Sequence, residues 1–201
     1  WLAELLNDED LTYLFENERE IDISDVHTKY KDYILEGLDS ICQGELHAGF
    51  YQMRYMSQKR GDVVFDIGAY KGDTAIIFAD LVGKKGKVYS FEPVKANYDD
   101  LLRNVKANGL EDIVVPINKG CSDKSGVLRA ISAKSGAPWA FLSEDEGNET
   151  VQVTTIDDFV ESNNNNRVDF MKMDVEGMEY EVISGARKTI ERFRPKMVIP
   201  L

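Results

Sequence analysis

Val63-Val64-Phe65-Asp66-Ile67-Gly68-Ala69-Tyr70-Lys71-Gly72-Asp73-Thr74 is the stretch that decides the fold. Its first five residues, Val63–Ile67, predict a short buried strand. Two glycines then punctuate a bend, and the apolar pattern that follows predicts a helix near 73–82. Gly68 and Gly72 allow a tight turn and a close approach of ligand to main chain. A helix opening near Asp73 offers free N–H groups that can hold a carboxylate or phosphate. A tight strand–helix turn with no ligand explains the same residues. The nucleotide fingerprint G-x-G-x-x-G is not met, because Tyr70 takes the second glycine position and the last spacing is wrong. A Walker loop fails too, since no Gly-Lys-Ser/Thr follows.

Downstream the texture repeats. Val88–Phe91 predicts a second strand, and the helix after it carries Tyr98, Leu101, Leu102 and Val105 on one side and stops at Asn108-Gly109. Ile113–Ile117 predicts a third strand. The Gly/Ser-punctuated stretch 120–150 holds a candidate strand at Val127–Ile131 and leads to Val151–Thr155. Four asparagines at 163–166 read as a loop. Val168–Met173 predicts another strand, a single helix then places Met178, Val182, Ile183, Ala186 and Ile190 on one face, and Lys196–Ile199 predicts the last strand. This alternation predicts an α/β fold: a Rossmann-like, doubly wound, mostly parallel sheet with helices on both faces. Such sheets bind ligands at the carboxyl ends of their strands, where the winding reverses.

The 201 residues suit one domain plus an extension. At 43% apolar and 30% charged, the composition supports a packed core and argues against disorder. The net charge of −12 is uneven, for residues 1–40 hold twelve acids and three bases, a net of −9. The reading is therefore an acidic helical N-terminal extension, 1–59, on a nearly balanced core, 60–201. Val26, Tyr30, Tyr33, Ile34 and Leu38 recur at helical spacing and predict a buried helical stripe there. A body this acidic disfavours a nucleic-acid partner. No apolar run approaches the ~18 residues of a membrane span, and no signal-peptide core opens the chain. Cys42 and Cys121 cannot build a disulfide framework and fit a reducing, cytoplasmic setting. The oligomeric state is not legible. The closing run Met197-Val198-Ile199-Pro200-Leu201 reads as a core strand, so further strands of such a sheet are expected to be missing.

The strand ends carry the chemistry. The second ends in Ser90-Phe91-Glu92-Pro93, with Glu92 at 24 residues past Gly68, where an acid reaches a ribose diol in nucleotide-binding sheets. A carboxylate can accept both ribose hydroxyls at once, or it can simply cap the helix starting near Pro93. The third ends in Asn118-Lys119-Gly120-Cys121-Ser122-Asp123, small and polar enough to edge an adenine, or a plain polar turn. Cys121 reads as a small filler rather than a nucleophile, no histidine being near in sequence. The fourth ends in Lys172-Met173-Asp174-Val175-Glu176-Gly177-Met178-Glu179, where Asp174 and Glu176 stand two apart and can face one cleft. A divalent metal between them is an alternative, weakly supported because no third clear ligand stands beside the two acids. Thr154-Thr155-Ile156-Asp157-Asp158-Phe159 reads as a helix start, with Asp157 structural. The two histidines, His27 and His47, fall in the extension; each is a surface or packing residue, or a base if the extension covers the cleft. Trp139 and Phe141 either line an acceptor pocket or pack together.

Four of these segments together resemble the FkbM-type branch of the class I S-adenosylmethionine-dependent methyltransferases, from about residue 60 to the C-terminus. They are Val64–Gly72, Phe91-Glu92-Pro93 with Asn97, Thr154–Phe159 and Lys172–Glu179, in that order. Residues 1–59 carry no such resemblance, and the family pattern implies two more strands than this chain has. The resemblance implies S-adenosylmethionine as cofactor. Its methionine carboxylate would lie at the helix start by Gly72, Asp73 and Thr74, with Asp66 reaching the amino group directly or through water and Asp174 also among the cofactor-binding residues. Gly68, Ala69 and Tyr70 would border the sulfonium, Glu92 with Pro93 and Asn97 the ribose, and Cys121 and Ser122 the adenine. It also implies O-methylation of a hydroxyl on a small molecule such as a sugar, a polyketide or a lipid-like compound. Glu176 is the first candidate base and Asp174 the second. The alternative is a protein of the same fold that holds the cofactor and transfers nothing.

Overall fold

The computed structural model describes residues 27–30, 32–36, 58–132, 140–143 and 146–199. In chain order the strands are β1 (His27–Tyr30), β2 (Tyr33–Glu36), β3 (Val63–Ile67), β4 (Lys87–Phe91), β5 (Val114–Ile117), β6 (Gly120–Cys121), β7 (Gly126–Ser132), β8 (Ala140–Ser143), β9 (Glu149–Thr154), β10 (Phe170–Met173) and β11 (Lys196–Val198). The helices are α1 (Asp73–Val82), α2 (Lys95–Ala107), α3 (Ile156–Ser162), α4 (Glu179–Gly185) and α5 (Arg187–Phe193). Five strands form a parallel sheet in the order β11-β10-β3-β4-β5. Counted by place in the chain they run 3-2-1-4-5 from the β5 edge, so the winding reverses between β3 and β10.

β3 is apolar along nearly its whole length because both its faces are covered. Val64 packs with α1 and α2 through Ile76, Phe78, Leu101 and Val105, while Phe65 and Ile67 face Ile156, Val160 and Val182 of α3 and α4. Helices therefore lie on both faces, as expected. Phe159 of α3 meets Phe91 edge-on at 4.8 Å and Phe65 at 5.7 Å, pairs worth ~0.5–1.5 kcal/mol each beyond their buried area. α2 ends at Asn108, with Gly109 at φ 63 beyond it, the left-handed exit that glycine permits. The 120–150 stretch departs from a single-sheet picture. β6, β9, β7 and β8 make a second sheet in that order, mostly antiparallel, with only β6 and β9 parallel. There Leu128, Ala130, Val151 and Val153 are buried while Val127 and Ile131 face solvent, the period of two.

Two expectations are corrected. The single helix over Met178–Ile190 is two helices, α4 and α5, broken at Ala186 (φ −109, ψ 7), and Ile183 is exposed rather than buried. Just before the break, Gly185 approaches the Ser122 carbonyl so closely that a Cβ there would come within 2.1 Å of the oxygen, so the chain can pass only as glycine. Asp157 then starts α5 afresh, accepting from Lys188 N at 3.0 Å, Thr189 N at 2.8 Å and Thr189 Oγ1 at 2.7 Å. That is the structural role read for it. α3 begins where read, with Thr155 Oγ1 accepting from Asp158 N at 2.9 Å.

The second correction concerns the helical stripe over Val26–Leu38. β1 and β2 are an antiparallel hairpin, Tyr30 opposite Tyr33 and His27 opposite Glu36. Leu35 is 0% exposed and its neighbour Ile34 45% exposed, so burial follows period two and not 3.6. The hairpin's outer edge is closed by side chains of α2. Ile34 N donates to Asn108 Oδ1 at 2.8 Å and Asn108 Nδ2 to Ile34 O at 2.6 Å. Glu36 N donates to Asn104 Oδ1 at 2.8 Å and Asn104 Nδ2 to Glu36 O at 3.3 Å. The rest of the expected helical extension up to residue 57, with His47, lies outside the described residues, as does Trp139; His27 falls in β1 and Phe141 in β8. Among the described residues no helix is long and apolar enough to cross a membrane.

Candidate functional site

The bend after β3 is laced to the end of β4. Gly68 N and Ala69 N both donate to Phe91 O, at 3.1 and 2.9 Å, and Tyr70 N donates to Glu92 Oε2 at 3.0 Å. A Cβ on Gly68 (φ +82) would lie 1.9 Å from Asp174 O, and one on Gly72 (φ +98) 2.7 Å from Leu101 Cδ1. Both glycines are thus required by the loop's own packing, between the end of β10 and α2, before any ligand is considered. Tyr70 holds a left-handed φ of 47 where the general pattern has glycine, a conformation costing a side chain ~1–2 kcal/mol. Lys71 Nζ stands 5.1 Å from the Tyr70 ring centroid and 3.5 Å from Asp100.

Glu92 is only 5% exposed. Its Oε1 accepts from Val94 N at 2.9 Å and more loosely from Asn97 Nδ2 at 3.4 Å. Burial pushes this carboxyl up to about 7, against the opposing pull of the Val94, Asn97 and Tyr70 donors. Of a carboxylate's roughly four acceptor directions, three are engaged, and one on Oε2 remains where the sequence reading expected room for two hydroxyls. The carbonyls of Glu92 and Pro93 accept from Asn118 Nδ2 at 3.0 and 3.1 Å, which ties the end of β5 to the same place.

On the other side of the bend stands a buried charge group. Asp66 is fully buried, and both its oxygens accept from Thr74 Oγ1 at 3.0 Å, with Ser90 Oγ at 3.5 Å from Oδ2. Burial raises its carboxyl above the ordinary value, opposed by Lys172 and Thr74. Lys172 Nζ lies 3.5 Å from Asp66 Oδ1 and 3.8 Å from Asp174 Oδ2, and donates to Gly68 O at 2.6 Å. Where β10 gives out, Glu176 (φ 53) and Gly177 (φ 97) form a left-handed turn. Glu179 braces it, its Oε1 accepting from Val175 N at 3.3 Å and Gly177 N at 3.4 Å. Partial desolvation raises the Glu176 carboxyl, Asp174 and Glu179 raise it further, and Lys172 opposes. Glu176 stays exposed and Asp174 half-buried.

Asp66, Gly68, Ala69, Tyr70, Thr74, Glu92, Pro93, Asn97 and Asp174 are thus joined by direct contacts around one bend, with Gly72 and Asp73 leading into α1. Cys121 and Ser122 sit differently. The Cys121 thiol is packed with Phe91 and Ile156, and burial pushes its pKa up; Ser122 is buried and donates to Asp123 Oδ1 at 3.2 Å. Sequence reasoning assigned no role to Lys172, Ser90 or Asn104, and read Asn118 only as part of an adenine edge or a polar turn. A signal for Lys172 was present: a lone cation inside the buried run Phe170-Met171-Lys172-Met173 is rare without a paired partner.

The strand order, the reversal point and the laced glycine bend define an α/β fold of the class I methyltransferase kind. The Methyltransferase FkbM domain model matches residues 66–200. This chain belongs to the FkbM methyltransferase family, whose cofactor is S-adenosylmethionine. Hexuronic acid methyltransferase AglP of Haloferax volcanii is 29% identical over 130 residues, 65% of this chain and 52% of that protein. Protein-L-isoaspartate O-methyltransferase of Ignicoccus hospitalis is 30% identical over 74 residues, 37% of this chain and 35% of that one. The FkbM methyltransferase structure from Methylobacillus flagellatus superposes with a TM-score of 0.54 at 19% identity, over 81% of this chain and 44% of that one, a shared fold. The chain spans about half, or less, of the length of these relatives.

Proposed function

We propose that this chain carries out S-adenosylmethionine-dependent methyl transfer to a hydroxyl of a small molecule, a sugar first among the candidate acceptors. The observation that carries this reading is the 3.0 Å bond from Tyr70 N to Glu92 Oε2, since it makes the glycine bend and the ribose-directed acid two walls of one site. The donor set fits the cofactor: Glu92 keeps one acceptor direction on Oε2 for a ribose hydroxyl, and Asp174 offers a half-exposed carboxylate to a cationic ligand. When bound, the cofactor supplies an electrophilic methyl carbon on a sulfonium. The start of α1, at Asp73 and Thr74, takes the carboxylate of the cofactor. Asp66, being buried and bonded to Thr74 and Lys172, acts through those partners rather than by touching the ligand. Pro93, Asn97 and the Cys121–Ser122 backbone border the nucleoside. Glu176 takes the hydroxyl proton of the acceptor, a role worth roughly 10²–10⁴-fold in rate, and the upward shift of its carboxyl, from partial desolvation and the neighbouring Asp174 and Glu179, makes it a stronger base than a free carboxylate.

The relative named for hexuronic acid supports a sugar acceptor, whereas the carboxylates Asp174 and Glu176 oppose an anionic one. Turnover with neutral hexoses and with hexuronic acids separates these. Calorimetry with S-adenosylmethionine, S-adenosylhomocysteine and NAD tests the site itself, and binding of NAD alone ends the methyltransferase reading. Glu176→Gln is expected to lose turnover while cofactor affinity stays; wild-type turnover refutes the base assignment, and absent turnover in the wild type with tight cofactor binding favours a cofactor-holding protein.

A further inference from the structure

We propose that Lys172 is a positioning residue of this site, which uses buried Asp66 as its counter-charge to hold the Gly68 carbonyl and the Asp174 carboxylate in one arrangement. The inference rests on the methyltransferase reading above. Lys172 is 2% exposed in a strand whose other members, Phe170, Met171 and Met173, are wholly apolar and buried. An ammonium in such a place persists only when it is paired and hydrogen-bonded. Its ammonium faces three segments: it donates to Gly68 O of the bend at 2.6 Å and stands at ion-pair distance from Asp66 Oδ1 of β3, 3.5 Å, and Asp174 Oδ2 in the loop after β10, 3.8 Å. These segments straddle the point where the winding reverses. Asp66 is out of solvent with Thr74 on both oxygens, so its charge can serve Lys172 but not a ligand directly. Among the described residues, Asp66 from β3, Glu92 from the end of β4, and Asp174 and Glu176 after β10 bear on the ammonium, and Asp73 opens α1 a few residues after Asp66.

The test combines Lys172→Met, Lys172→Arg, Asp66→Asn and the Asp66→Asn/Lys172→Met pair. Melting is followed against pH without ligand, and dissociation constants are measured for S-adenosylmethionine and S-adenosylhomocysteine. The folded-state carboxyl of Asp66 lies above its unfolded value of 3.8, so the stability linked to it is present at low pH and lost as pH rises. Removing Lys172 enlarges that loss: Lys172→Met is expected to fall further below wild type as pH rises, and Asp66→Asn to shrink that difference, leaving the part due to Glu92 and Glu176, whose carboxyl pKa values Lys172 also lowers. Cofactor affinity is expected to fall at least about ten-fold in Lys172→Met and to stay low in the restabilised pair, which a merely structural role would not produce. Lys172→Arg is expected to recover part of it. A pair variant that binds with wild-type affinity overturns the proposal, as does a pH-independent melting difference. If Lys172→Met does not fold, the pair and the Arg variant carry the test. A wild type that binds neither ligand overturns the methyltransferase reading instead, and the melting cycle then decides the Lys172–Asp66 coupling alone.

Discussion

Glu92→Gln isolates a charge that the fold holds at a disadvantage. The Glu92 carboxyl rises from 4.5 to about 7 because burial outweighs the donors from Val94, Asn97 and Tyr70. At about 1.4 kcal/mol per pH unit of displacement, ionising it inside the protein costs about 3 kcal/mol of stability. The sign follows from the folded value lying above the unfolded one. Stability linked to the bound proton is fully present below pH 4.5 and is lost as pH rises to about 7. The amide cannot ionise, but its NH2 must face either the Tyr70 or the Val94 donor, a pH-independent cost of ~1–3 kcal/mol. Urea unfolding of both proteins at fixed ionic strength therefore gives a difference that swings by about 3 kcal/mol in favour of the variant between about pH 4.5 and pH 8. A flat difference across that window refutes the burial of a titrating carboxyl here. A ribose hydroxyl donating to Oε2 favours the ionised form, so wild-type cofactor uptake near neutral pH should release protons. Calorimetric enthalpies should then vary with buffer ionisation heat, and that dependence should vanish in Glu92→Gln.

Gly68→Ala places a methyl 1.9 Å from Asp174 O at φ +82; strain and overlap together should cost ~2–5 kcal/mol, a melting drop on the order of 10 °C. Unchanged melting would show that the bend does not rest on the Asp174 carbonyl. Asn104→Ala strips acceptor and donor from Glu36 and a 2.9 Å donor from Lys71 O, so ~2–4 kcal/mol should be lost. Hydrogen exchange should then quicken at the Glu36 amide, and wild-type protection there would refute the docking of the hairpin edge.

The parallel sheet was legible because burial on both faces leaves an unmistakable run of apolar residues, as in Val63–Ile67, and because glycine at 68 and 72 reports backbone geometry directly. The α1 limits read from the sequence coincide with Asp73–Val82. What failed to show were features set by a distant partner. The helix break at Ala186 falls where Gly185 packs on the Ser122 carbonyl and where α5 restarts on Asp157, partners over sixty and about thirty residues earlier in the chain, and no local propensity marks it. Asp66 read as a ligand-facing acid because it stands at a strand end, yet its alternation places it against Thr74, Ser90 and Lys172, inside. Lys172 was visible as a residue and invisible as a role, since only the fold brings Gly68, Asp66 and Asp174 around it.

The N-terminal hairpin shows why period alone misled. Tyr30, Tyr33 and Ile34 satisfy helical spacing, but aromatic and β-branched residues suit a strand as well, and Leu35 rather than Ile34 is the buried one. A two-stranded hairpin is marginal by itself, and an open edge invites pairing with another chain. Here the edge is closed by two carboxamides one helical turn apart. Asn104 and Asn108 are four residues apart on α2, a rise of about 6 Å, and Ile34 and Glu36 are two residues apart on β2, about 6.7 Å. The repeats match to within about 1 Å, so each amide can both donate to and accept from one strand residue, as a neighbouring strand would. Asn104 also donates to Lys71 O in the glycine bend, so the same side chain that seats the hairpin steadies the loop between Gly68 and Gly72. A helix over Tyr33–Glu36 would have offered α2 no such row of backbone groups, which is the physical reason this segment is strand.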